Sequence, residues 1–305
     1  MSTTAHSATR PFLTTARFLD HLELTKPRLT LWVLFAVLAG FVAGSSGSVH
    51  SGRLLAALAG AWLCAGGAHA LNMLLERDTD ARMRRTAGRP LPSGRLRPGE
   101  VLTTGSALAA AGVLLLAVAV NLPAAGFAAF TVGSYVFVYT PLKRRSSLNT
   151  LVGAVSGAAP VLLGNAAASG GVGRDGWFLF AVVFMWQVPH FLAIAWMHRE
   201  DYARAGFPML PVLDRTGEAT GRHAVMHTAG LVLVSVVPAL TGAGGLVYLS
   251  GAMLLGLAML AASLAFLGSR TRVAARRVFL ASLAYLPLLM TLFLLDRPAA
   301  QIWMS

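Results

Sequence analysis

Between Asn72 and Gly94 the chain reads NMLLERDTDARMRRTAGRPLPSG, and within it Asn72, Glu76 and Asp80 recur every four residues. On a helix each such step advances about 400°, so three side chains drift only about 80° over about 12 Å. That places three hard oxygen donors on one face. Few oxygen ligands of this type suit Mg²⁺, which leaves part of its shell to water or substrate phosphates. Asp78 lies about 200° from Glu76 and points away. Arg82, Arg84, Arg85 and Arg89 follow, and guanidinium groups match phosphate oxygens. The plainer alternative is a polar loop whose acids offset its arginines. His69, three residues before Asn72, is either a ligand, an orienting group or a packing residue.

A second constellation, WQVPHFLAIAWMHREDYARAGFPMLPV, starts at Trp186. Gln187 and His190 sit in an apolar run, where an ionisable residue is a functional candidate; a satisfied helix–helix hydrogen bond is the alternative for His190. Asp201 follows His190 by eleven residues and shares its face to within about 20° if the helix continues through Pro189 and beyond. Gln187 and His198 have the same offset. Glu200 and Asp201 then reach the same depth as Glu76 and Asp80, so two acidic clusters could hold two Mg²⁺ around one polyphosphate. A third feature is YTPLKRR, residues 139–145. Tyr139 and Lys143, four apart, can both donate to phosphate; alternatively they are an interfacial tyrosine and a topology-setting lysine.

The elements that must position these residues are membrane helices. The 305 residues are 56% hydrophobic and 12% charged, against about a quarter charged in soluble domains. Nine apolar segments reach spanning length, near residues 29–47, 54–75, 101–120, 122–141, 147–168, 176–197, 224–241, 244–267 and 278–296. The expected fold is therefore all-α and polytopic. Residues 1–25 are expected to form a disordered, Ser/Thr-rich cytoplasmic tail without a signal-peptide core, and residues 26–305 one transmembrane domain. Of the 25 Lys and Arg residues, 22 fall on the side of the N-terminus, which predicts N-terminus in and C-terminus out. Both long polar loops, 76–100 and 198–223, are then cytoplasmic.

The net charge of +13 reflects topology, because the basic–aromatic interleaving of nucleic-acid binders is absent. One cysteine, Cys64, excludes a disulfide framework or cysteine metal site. Gly153 and Gly157 have the spacing of close helix contact, and Pro160, Pro189 and Pro287 interrupt helices as cavity-lining prolines do. Trp32, Trp62, Trp177 and Trp303 read as interfacial belt residues.

Asn-xxx-acid-xxx-Asp after the second helix, Tyr-xxx-Lys after the fourth and acids after the sixth resemble the UbiA superfamily of intramembrane prenyltransferases. Within it, KRRSSLNTLVGAVSGAAPVLLG and DYARAGFPMLPV are similar to the branch that farnesylates protoheme IX. The likeness covers nearly the whole chain beyond the tail. It implies nine helices around a central cavity opening near the cytoplasmic face of the cell membrane, with farnesyl diphosphate and heme B as substrates. Mg²⁺ is the implied cofactor, and heme A synthase or oxidase assembly factors are the implied partners, without nucleic acid.

The resemblance assigns Asn72, Glu76 and Asp80 to one Mg²⁺, and Asp201, with Glu200, to a second. It assigns Arg85, Arg89, Lys143 and Tyr139 to phosphate oxygens, and His190 and Gln187 to the acceptor site. Glu76 stands where the family often has Asp. The second motif lacks the spaced aspartate pair of quinone-type members, which leaves the second metal's ligands open. Three rivals remain: a UbiA-type enzyme with an aromatic or quinone-precursor acceptor, a transporter with a midplane site, and a non-catalytic heme chaperone.

Overall fold

The structure is a computed structural model that describes residues 15–45 and 49–296. Arg10, Arg297 and Trp303 lie outside the described residues, as does most of the expected tail; residues 15–24 of that tail form a helix, Thr15–Leu24. Among the described residues there is no strand, and nine helices are long and apolar enough to cross a membrane. They are Pro27–Gly44, Ser51–Leu75, Pro98–Ala119, Leu122–Leu142, Asn149–Ser169, Arg174–Met197, Glu218–Leu240, Leu246–Ser269 and Arg272–Leu295. Below they are the first to ninth spans.

The seventh and ninth spans start six residues before the apolar segments do. Arg222, His223, Arg276 and Arg277 end the apolar run and are exposed, but they carry the backbone ladder perfectly well. Hydropathy marks where lipid contact begins; hydrogen bonding marks where the helix begins. The starts are otherwise conventional. Asn121 and Thr271 accept from Ala124 N and Ala274 N as N-caps, and Pro27 and Pro98 occupy first turns, where a missing N–H costs nothing.

Lipid offers helices no hydrophobic drive to associate, so close packing and interhelical hydrogen bonds must hold the bundle. The fifth span is its axis, packing on the first, fourth and sixth. Gly164 and Gly40 make the first of these contacts possible: a Cβ on Gly164 would lie 2.0 Å from Val37 O, and one on Gly40 2.0 Å from Val161 O. Asn165 locks the same seam by donating to Gly40 O at 3.2 Å and accepting from Gly173 N at 2.8 Å. In the other half, Tyr248 OH donates to Ser235 O at 2.7 Å, while Ser235 and Tyr285 share a hydrogen bond of 2.6 Å.

Both polar loops close one end of the bundle. Met83 of the first packs with Tyr202, Phe207 and Met209 of the second in one apolar cluster, so the two motifs are covers of the same mouth.

Candidate active site

Asn72 occupies the last turn of the second span, which ends at Leu75. Glu76, at φ −94° and ψ 4°, joins that helix to one further turn, Arg77–Asp80. The joint does not break the rhythm, because Glu76 N donates to Asn72 O at 2.9 Å and Asp80 N to Glu76 O at 2.7 Å. Asn72, Glu76 and Asp80 are accordingly 3%, 2% and 0% exposed, whereas the Asp78 side chain is 68% exposed. Thr79 and Thr86 pin the turn by donating to Glu76 O and Asp80 O at 2.8 and 2.9 Å.

Each of the three buried side chains meets a cation. Lys26 Nζ donates to Asn72 Oδ1 at 3.1 Å. Lys143 Nζ donates to both Glu76 oxygens, at 3.0 and 3.2 Å. Arg89 Nη1 donates to Asp80 Oδ2 at 2.6 Å. Burial pushes the Lys26 ammonium down to about 7, assisted by Arg89 and opposed by Glu76 and Asp80. Burial also opposes charge on Lys143, but the Glu76 carboxylate and its hydrogen bond outweigh it and raise that ammonium above its ordinary value.

The fourth span fixes the amide. Between Ser134 and Tyr139 it widens into a π-helical turn, a distortion frequent at functional sites. Thr140 Oγ1 donates to Tyr135 O at 2.8 Å and accepts from Asn72 Nδ2 at 3.1 Å, so Asn72 must aim its oxygen at Lys26. Tyr139 stacks on Tyr135 with ring centroids 5.3 Å apart. Beneath, a cavity of about 130 Å³ runs between the first, second, fourth and fifth spans, lined by His69, Cys64, Tyr135, Thr131, Ser156 and Leu163. His69 Nδ1 lies 3.0 Å from Thr25 O and 3.3 Å from Thr30 Oγ1.

The sixth span ends at Met197, and His198 at φ −116° joins it to a further helix, Arg199–Arg204. As at Glu76, the joint keeps the ladder, with His198 N donating to Ile194 O and Tyr202 N to His198 O, both at 3.1 Å. Gln187 and His190 are buried, and His198 and Asp201 half-buried. Asp201 pairs with Arg204, while Glu200 and Arg85 are exposed. Arg85 lies near His198, whose pKa falls through burial and then through the charges of Arg85 and Arg272.

Deeper in the sixth span, Gln187 Nε2 donates to Ala154 O at 3.1 Å, and its Oε1 sits where a Cβ on Gly157 would be. Gln187 thus serves the contact with the fifth span. His190 faces the ninth span, stacked on Trp186 at 4.9 Å and beside Phe279 at 5.2 Å. Its Nδ1 is 2.7 Å from Ser282 Oγ, which donates to Phe279 O at 2.6 Å.

The donor set fits Mg²⁺. Asp80 Oδ1 is buried with no hydrogen-bond partner, and such an orphaned acceptor is costly unless a cation completes it. Among the described residues no three His, Cys, Asp or Glu side chains converge as a metal group, so Glu76, Asp80 and the Asn72 amide would need phosphate oxygens to complete the shell. Sequence reasoning missed Lys26, Thr140, Tyr135 and Ser282. The TKPR stretch around Lys26 was legible only as topology charge, although a lysine before a helix-initiating proline is a fixed position. It holds φ 46°, a conformation that costs about 1–3 kcal/mol outside glycine and persists where surroundings over-determine it.

Fold and site together define a class: helical membrane proteins that gather oxygen donors and cations over an apolar cavity. Residues 33–290 match the UbiA prenyltransferase family, and the chain belongs to that family. It is 49% identical over 288 residues to a protoheme IX farnesyltransferase of Solibacter usitatus, covering 92% of this chain and 99% of the relative. A protoheme IX farnesyltransferase of Salinibacter ruber is 46% identical, with 91% and 98% covered. Among solved structures, a digeranylgeranylglyceryl phosphate synthase superposes with a TM-score of 0.78 at 15% identity, over 92% of this chain and 99% of that one. A UbiA homolog from Archaeoglobus fulgidus bound to DMAPP and Mg²⁺ superposes at 0.68 and 16%, over 90% and 99%. These two likenesses concern the fold.

Proposed function

We propose that this protein transfers a farnesyl group from farnesyl diphosphate to a vinyl group of heme B, with addition of water, giving heme O and diphosphate. The observation that carries the reaction class is the buried Asn72–Glu76–Asp80 face, with its orphaned Asp80 oxygen, above an apolar cavity. The acceptor rests on the relatives named as protoheme IX farnesyltransferases.

Diphosphate leaves poorly until its charge is met. Asn72, Glu76 and Asp80 would hold a Mg²⁺, which would supply that neutralisation without proton transfer. Lys143 and Arg89, beside Glu76 and Asp80, would donate to the phosphate oxygens as charge develops, with Tyr139 and Arg85 as further donors and Asp201 with Glu200 as candidates for a second metal. The prenyl chain lies in the cavity below, where apolar walls keep water from the carbon that loses the diphosphate. The vinyl π electrons form the new C–C bond as the C–O bond to diphosphate breaks. Water then adds to the resulting cation and releases a proton. His190 is the acceptor-site candidate, since a neutral imidazole suits a heme iron, and Gln187, one turn before it, is the other.

The polar mouth faces the cytoplasm of the cell membrane, and the product passes to heme A synthase or an oxidase. Membranes from cells expressing the chain should convert heme B with farnesyl diphosphate to heme O by mass. EDTA should stop the conversion and Mg²⁺ restore it; rescue by Zn²⁺ and not by Mg²⁺ would overturn the metal assignment.

A further inference from the structure

Addition of water requires one water molecule in a cavity whose walls otherwise exclude it. Of the polar residues lining that cavity, Cys64, Thr131 and Ser156 are committed to backbone carbonyls. Cys64 Sγ donates to Ala109 O at 3.8 Å, Thr131 Oγ1 to Phe127 O at 2.7 Å and Ser156 Oγ to Gly153 O at 3.0 Å. His69 and Tyr135 line the same cavity and differ. A carbonyl only accepts, so the 3.0 Å contact with Thr25 O puts the ring proton of His69 on Nδ1 and the lone pair on Nε2. Thr30 Oγ1 donates to the same carbonyl at 2.8 Å and closes that corner. The ring meets Tyr135 at an edge, with centroids 6.0 Å apart. Among the described residues neither His69 Nε2 nor the Tyr135 hydroxyl has a hydrogen-bond partner, and neither atom is sealed. An unspent acceptor on the second span and an unspent donor on the fourth thus border one cavity.

We infer that His69 and Tyr135 hold the water that adds to the alkylated vinyl group, the water donating to His69 Nε2 and accepting from the Tyr135 O–H. A water takes about 30 Å³, so a cavity of about 130 Å³ keeps most of its room for prenyl carbons. His69 precedes Asn72 by three residues, about 4.5 Å along the helix, which sets the water just below the carbon that loses the diphosphate. Because the C–C bond forms as that C–O bond breaks, the cation this water meets lies on the vinyl carbon beside the new bond. The water oxygen bonds to that carbon, and the proton it releases passes to Nε2, so His69 is the base of this step.

The inference rests on the proposed function in taking a heme-side cation as the species that is quenched. An aromatic acceptor would need no such water, since its cation recovers aromaticity by losing a proton. Without the held water, the vinyl-derived cation loses a proton from the neighbouring CH₂ to the departed diphosphate. The product is then an alkene, lighter than the alcohol by one water.

Purified full-length protein in detergent is incubated without oxygen with heme B, farnesyl diphosphate and Mg²⁺, and both products are quantified by mass. His69→Leu and Tyr135→Phe should each raise the ratio of alkene to alcohol by at least about tenfold, with heme B still alkylated. His69→Gln, which keeps an acceptor oxygen, should restore part of the alcohol. A structural role lowers both products together and leaves their ratio unchanged; that result, or loss of both products, overturns the inference. If His69→Leu does not accumulate, Tyr135→Phe, which removes a single oxygen, decides by the same ratio. A wild-type protein that alkylates no heme sinks the proposed function and this inference with it. A wild type that forms the alcohol, with both variants matching its ratio, leaves the function standing and removes the water site.

Discussion

Asp80 and Asp78 are two residues apart and have opposite fates. One is sealed under the loop with an oxygen lacking a partner; the other is exposed and pairs with Arg77. Asp80→Ala and Asn72→Ala should each lower heme O formation by at least about a hundredfold while the protein still inserts. Asp78→Ala should retain most activity, and product mass from equal amounts of membrane protein compares them. Four-residue spacing was enough to tell these aspartates apart, because the turn after Glu76 keeps helical rhythm. Lys26 was not legible in that way, since its partner is 46 residues distant and charge before a first span reads as topology.

His190 is a further case at this scale: its burial follows from an apolar run, but its ring is oriented by Ser282, 92 residues away. Ser282→Ala should leave the ring free to rotate and weaken heme binding about 10- to 100-fold, as loss of an orienting partner does at metal ligands. The heme absorption spectrum of the purified variant reads this directly, and His190→Ala should abolish the same feature. Unchanged spectra in both would confine His190 to packing.

Among the elements, the spans were the most legible, because eighteen or more apolar residues admit little else. Their terminations were not. The sixth span ends at Met197 without a breaker and resumes after His198, so the segment carrying Asp201 is positioned both by that joint and by the packing of Tyr202 and Phe207 on Met83. The π-helical turn at Ser134–Tyr139 likewise has no mark in its apolar sequence.

Helix contacts give the sharper test at this scale. Gly164→Ala would force a methyl against Val37 O, whereas Gly126 has open space around its Cα. Overpacking a seam costs about 1–3 kcal/mol, so Gly164→Ala should lower the thermal unfolding midpoint in detergent. Gly126→Ala should match or slightly exceed the wild type. Equal midpoints for all three would mean that the first and fifth spans do not touch there.

At the scale of the whole molecule, the charge bias and the site make one statement: the end of the bundle that carries the positive loops also carries the proposed site. In a Cys64→Ala background, a cysteine replacing the exposed Arg84 should react with an impermeant maleimide only after the inner face is opened. One replacing Gly171 should react in intact cells, and the reverse pattern would invert the topology. The central claim concerns the acceptor. Purified protein is incubated without oxygen with farnesyl diphosphate, Mg²⁺ and a mixture of heme B and 4-hydroxybenzoate, and the products are read by mass. The account predicts a hydroxyethylfarnesyl heme with no prenylated benzoate; a prenylated benzoate with heme B left unchanged would contradict it.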